Sequence, residues 1–209
     1  KMKRTICVLL SLIMCLSMSA FTYADSPGKM IPGEETRIQL TYDEYIASIA
    51  EIKNITIDKA VELDKAENLA FLKEKSVTNP AAVSYTYWRV SKRFAYSQNN
   101  VFTASCYATI KLAGSGSMYS IAGVDGVWSL GDRGEYTWSW NESSSWYDNV
   151  TASSCDLGSS GYFVVDKPVS TPGAGYTGFI YDYTTGSAPN YTGHYHSSPM
   201  SMVWTYRVN

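Results

Sequence analysis

From Ser84 onward, hydrophobic residues alternate with polar ones at a spacing of two, whereas between Thr41 and Lys75 they return every three or four positions. The first spacing places side chains on one face of an extended strand, and the second on one face of a helix. The alternation predicts strands near residues 84–96, 101–113, 117–130, 134–141, 147–155, 161–166, 176–184 and 200–208. Their separators are Gly, Ser, Asn and Asp clusters such as Ser97-Gln98-Asn99-Asn100, Gly131-Asp132-Arg133-Gly134 and Gly158-Ser159-Ser160-Gly161. Short strands divided in this way imply an antiparallel β-sandwich or barrel-like domain.

Ahead of it, Thr41-Tyr42-Asp43-Glu44 has the form of a capping box. Tyr42, Tyr45, Ile46, Ile49 and Ile52 then lie on one helical face, giving a helix over about 41–53. Asn54-Ile55-Thr56 reads as a turn whose threonine caps a second helix over about 57–75. Asp64 and Asn68 interrupt the apolar stripe of that helix, which therefore reads as loosely docked. The fold class expected is a mainly β protein, an antiparallel sandwich preceded by a short N-terminal helical hairpin.

Composition divides the chain at the same place. All six Trp and fourteen of the seventeen Tyr fall in residues 85–209, together with only seven Lys or Arg and eight Asp or Glu. Three units result: 1–24, a charged helical segment 25–80, and an aromatic β domain 81–209. The first reads KMKRTICVLLSLIMCLSMSAFTYA, a basic start and an apolar run closed by small residues at the positions a signal peptidase reads. An uncleaved anchor and a lipobox at Cys15 are the alternatives, the second opposed by the bulky Met14. The basic start and the helix-then-β layout are in the style of small secreted proteins of Gram-positive bacteria. Secretion is the expected localisation, with no membrane span after cleavage.

Removing residues 1–24 leaves 14 basic and 19 acidic residues, a charge without the footprint of a nucleic-acid partner. Two cysteines remain, Cys106 and Cys155. In an oxidising compartment they are expected to form a disulfide, with two buried free thiols as the alternative. Asn-x-Ser/Thr sequons at Asn54, Asn141, Asn149 and Asn190 are inert or surface-marking, according to the source.

Candidate chemistry is sparse. GxSxG, HExxH, P-loop and dinucleotide-binding patterns are absent, so the chain leans away from enzymology, and no cofactor is implied. His194 and His196 flank Tyr195 and would point the same way on an extended segment, a geometry that chelates a metal if Asp182 approaches. Tyr136, Trp138 and Trp140 would form an aromatic platform if exposed. However, the opposite face of that strand is Glu135, Thr137, Ser139 and Asn141, so the rings are expected to face the core. Trp146 and Tyr147 follow a polar turn, Glu142 to Ser145, and are the first candidates for ligand contact. Tyr181, Tyr183 and Tyr191, in Gly- and Ser-rich surroundings, join them. The functional expectation is a secreted binding protein engaging glycan or cell-envelope material through aromatic residues. Its alternative is a protein-directed factor, such as a small toxin or inhibitor, using the helical segment as a leader or docking arm.

Overall fold

The computed structural model describes residues 28–77, 80, 83–97, 99–115, 118–132, 138–168, 179–185 and 192–208. The expected signal segment, Tyr136 and Tyr191 lie outside the described residues. The described residues are mainly antiparallel β, in two sheets with two helices.

The first sheet has strand order β1 (Met30–Leu40), β2 (Ser84–Tyr96), β3 (Asn99–Ser115), β4 (Met118–Asp132). The second is built on β6 (Ser154–Pro168), which pairs with β5 (Trp138–Asp148) on one side. On the other, it pairs with β9 (Met200–Arg207) along its first half and with β8 (Thr192–Ser197) along its second. The outer strand β7 (Phe179–Thr185) pairs with β8.

Three expectations are corrected. Residues 25–80 are not helical throughout, because they contain β1, paired with β2 from Met30↔Tyr96 to Leu40↔Tyr87. Nothing local marked MIPGEETRIQL as a strand. It is an edge with Pro32 at a bulge, and most of its side chains face solvent, so no alternating pattern is imposed on it. The helices therefore follow a strand rather than precede the β domain.

Second, Glu142 to Ser145 is not a turn between strands. It lies within β5, with a bulge between Glu142 and Ser144, and the chain reverses at residues 149–153. Third, Gly158-Ser159-Ser160-Gly161 is the middle of β6, paired on both sides. These residues are small because aromatic rings lie across them. A Cβ at Gly158 would collide with the Trp146 indole, and one at Gly161 would stand 2.6 Å from Trp140 Cζ2. Ser159 is fully buried and bonds to Ser129 Oγ at 2.7 Å.

One hydrophobic cluster joins the facing sides of the two sheets. Val90, Phe94, Ala104, Cys106, Ala108 and Ile110 come from the first sheet. Trp138, Trp140, Leu157, Phe163, Tyr195, Met202 and Trp204 come from the second. Phe163 is its centre, with ring centroids 4.9 Å from Trp140, 5.3 Å from Trp138 and 5.5 Å from Phe102. Each such pair adds about 0.5–1.5 kcal/mol beyond the area it buries. Trp138 and Trp140 are thus core residues, which removes the exposed platform considered above.

The helices α1 (Tyr42–Lys53) and α2 (Ile57–Glu74) pack on the outer face of the first sheet. Both expected caps form. Thr41 accepts from the Glu44 N–H while the Glu44 carboxylate accepts from the Thr41 N–H, and Thr56 accepts from the Lys59 N–H. Hydrogen bonding to the Thr41 backbone, then to its hydroxyl, lowers the Glu44 pKa. Between α1 and α2 lies a small apolar cluster of Leu40, Tyr45, Ile46, Ile49, Ala50 and Ala60. Beneath α2 the contact is ionic. Lys111 of β3, 1% exposed, meets Asp64 at 2.9 Å and Glu67 at 3.4 Å. Asp64 also accepts from the Tyr42 hydroxyl at 3.2 Å and from Asn68 Nδ2 at 3.1 Å. Asp64, which with Asn68 interrupts the apolar stripe of α2, is therefore its anchor to the sheet, and Asn68 donates to the Asp64 carboxylate from the next turn of the helix.

A cleft between the two sheets

Beyond the end of the shared core, the first sheet leaves part of its inner face uncovered. Arg37 and Gln39 of β1, Thr86 and Trp88 of β2, Leu112 of β3 and Tyr119 of β4 enclose a cleft of about 380 Å³ there with Tyr206 and Val208 at the end of β9. Register accounts for the grouping. Gln39 pairs with Trp88, Arg37 with Val90, and Thr86 with Leu112, so alternate residues of three neighbouring strands share the inner face. The volume lies in the usual range of small-molecule sites, about 300–1,000 Å³.

Several of these side chains are held in place. The Trp88 indole N–H donates to Thr86 Oγ1 at 3.2 Å, which fixes the ring. The Arg37 guanidinium donates from Nε to Glu35 at 2.8 Å and lies 4.7 Å from the centroid of the Tyr206 ring. Burial raises the Tyr206 pKa, against the opposing pull of Arg37, so its hydroxyl stays protonated as a donor. The cleft thus offers the rings of Trp88 and Tyr119, cationic donors on Arg37, which is seated against the buried Tyr206 ring, and both donor and acceptor on Gln39. Such a set stacks against a ligand and orients its hydroxyl or carboxylate oxygens.

The residues singled out in the sequence are scattered. Trp146 and Tyr147 are neighbours on a strand and so face opposite sides. Trp146 is half-buried over Gly158, whereas Tyr147 is 51% exposed. Tyr181 and Tyr183 flank a bulge in β7, opposite Tyr195 and His194. Their side chains, and that of Asp182, lie outside the described residues. His194 Nδ1 pairs with Asp166, and His196 Nδ1 lies 3.1 Å from the Ser197 carbonyl oxygen. Among the described residues no group of three His, Cys, Asp or Glu is placed to hold a metal.

Cys106 and Cys155 are free buried thiols, so the disulfide expected between them is not formed. They stand on strands of different sheets, each within the core. Burial pushes the Cys106 thiol up to about 12, partly opposed by the Trp204 indole, and the Cys155 thiol up to about 11, with Asp156 adding to the shift. The expectation rested on two lone cysteines in an oxidising compartment, and the structure has its alternative, two buried free thiols.

Sequence reasoning missed the cleft because its residues run from Arg37 to Val208 and share no local signal. Gln39 and Arg37 lay in a segment read as charged and non-strand. Comparison of the chain with known protein families, with curated proteins and with solved structures finds no match. Among the described residues, no helix is long and apolar enough to cross a membrane.

Proposed function

We propose that this chain is a secreted β-sandwich binding protein whose inter-sheet cleft holds a glycan or cell-envelope ligand. The observation that carries the reading is the cleft itself. The rings of Trp88 and Tyr119 stand there beside a fixed arginine and a glutamine, the combination that packs on the C–H face of a sugar ring and bonds its hydroxyls. The site moves accordingly from the strand end at Trp146 and Tyr147 to Trp88, Tyr119 and Arg37.

The test is retention of the purified chain on isolated cell wall and on insoluble polysaccharides. Replacing Arg37 by Ala and Tyr119 by Ala should release it, each lowering affinity roughly tenfold or more, the loss expected for one charge-assisted hydrogen bond or one stacked ring. Trp146→Ala should leave retention in place. Retention that survives Arg37→Ala with Tyr119→Ala would remove the cleft as the site.

A further inference from the structure

Among the described residues that line the cleft, Arg37 is the only charged side chain. A guanidinium carries five N–H donors in a planar fork. Glu35 Oε1 takes two of them along one edge of the plane, at 2.8 Å from Nε and 2.7 Å from Nη2. The adjoining edge, formed by Nη1 and the second Nη2 donor, has no partner among the described residues. Two parallel N–H groups of that kind match the two oxygens of a carboxylate.

Glu35 does not cancel the positive charge of this stretch. It stands opposite Lys92 in the pairing of β1 with β2, and the Lys92 Nζ lies 5.7 Å from the centroid of the Trp204 ring, with no ion pair among the described residues. Two cations therefore share one carboxylate along this part of the inner face.

An independent feature points the same way. Tyr206 is 2% exposed, yet its hydroxyl has no hydrogen-bond partner among the described residues and is not sealed off from solvent, and the space Tyr206 lines is the cleft. A hydroxyl so nearly enclosed ordinarily has a partner, because its lost hydration is otherwise uncompensated. Arg37 stacks on the ring of this same residue, so the free guanidinium edge and the free hydroxyl belong to one end of the cleft.

We propose that the ligand of the cleft is a carboxylate-bearing sugar, its carboxylate held by the free edge of Arg37 and the Tyr206 hydroxyl while Trp88 and Tyr119 pack on the ring. This rests on the cleft being the glycan site and adds the charge of the ligand. A neutral sugar offers the same donors only hydroxyl oxygens, which are weaker acceptors, and an amino sugar would be repelled by Arg37.

Calorimetric titration of the full-length chain with two matched pairs tests it: glucuronic acid beside glucose, and N-acetylmuramic acid beside N-acetylglucosamine. In at least one pair the acid should bind roughly tenfold tighter or more, the gain of one charge-assisted contact. The pair with the larger ratio tells whether the carboxylate stands on the ring or on an ether arm. Arg37→Gln should bring the acid down to the level of its neutral counterpart, and Glu35→Gln, which frees two more donors, should strengthen the acid severalfold. Tyr206→Phe should weaken the acid roughly tenfold and leave the thermal melt of the free chain unchanged, since the hydroxyl has no partner to lose. Equal binding of acid and neutral sugar in both pairs would overturn the inference and leave the cleft as a neutral-glycan site. Preference for the acid that survives Arg37→Gln and Tyr206→Phe would overturn it by placing the carboxylate elsewhere. Absence of binding by all four sugars at millimolar concentration, with retention on cell wall indifferent to the cleft variants, would remove the glycan reading of the cleft as well.

Discussion

The two faces of the first sheet are buried in opposite ways. Its inner face meets the second sheet through aromatic and aliphatic side chains, with Phe163 among Trp138, Trp140 and Phe102. Its outer face meets α2 through Lys111, Asp64, Glu67 and Asp125, all joined by hydrogen bonds or charge. Hydrophobic contact is strong but indifferent to small displacements, since it scales with area. An ion pair with three donors converging on Asp64 is worth less on balance, because both charges lose their water, but it requires one position of the helix. Burial alone pulls the Lys111 pKa down. The hydrogen bond to Asp64, with the charges of Asp125 and Glu67, outweighs that and holds it above its ordinary value.

Breaking one partner of this seam should have the largest effect. Asp64→Ala leaves Lys111 charged and buried, and should cost about 3–5 kcal/mol in a denaturant titration. The double replacement Asp64→Ala with Lys111→Met should recover most of that loss, because the desolvated charge is gone. If the double variant were as unstable as the single, the seam would be stabilising in its own right rather than positioning α2.

Next in size is a pH effect. Burial, with Glu67 adding and Lys111, Tyr45 and Lys53 opposing, raises the Asp125 pKa from 3.8 to about 6. The folded state therefore holds this proton more tightly than the unfolded chain. Its contribution is complete below about pH 4 and is lost as pH rises through 6, roughly 3 kcal/mol at 1.36 kcal/mol per unit. Asp125→Asn removes the dependence, so its stability relative to the parent chain should rise between pH 4 and 7. Parallel stability profiles for the two proteins would exclude the effect.

On the apolar side, Gly158→Ala drives a methyl group into the Trp146 ring and should cost about 1–3 kcal/mol by overpacking. Trp146→Leu in the same background should restore part of it. The smallest effect is expected from the seam hydroxyls. Ser48 and Thr109 lie 3.2 Å apart, both buried, and Ser48→Ala with Thr109→Val removes donor and acceptor together. Thermal melts should then shift by no more than about 2–4 °C, whereas either single change leaves a buried hydroxyl unpaired and should cost about 1–3 kcal/mol.

Much of this architecture was legible from local pattern. The helices end where Thr41, Thr56 and Asn54 place their caps, because capping is a matter of adjacent residues. The inward phase of Ala104, Cys106, Ala108, Ile110 and Leu112 follows from a period of two, and all five are buried. So does the inward placing of Trp138 and Trp140, argued from the polar residues between them.

Distance along the chain hid the rest. An edge strand such as β1 is held by β2, which joins the chain more than forty residues later, and needs no pattern of its own. Gly and Ser in β6 resemble a turn until Trp140 and Trp146 are seen lying across them. Asp64 reads as a flaw in an amphipathic helix until Lys111, 47 residues away, is placed under it. The cleft draws on five strands, so it does not exist before the sheets pack. Periodicity and caps act within a few residues and decide which elements form. Charge pairing, glycine clearance and cavities depend on which elements meet, and only the tertiary structure decides that.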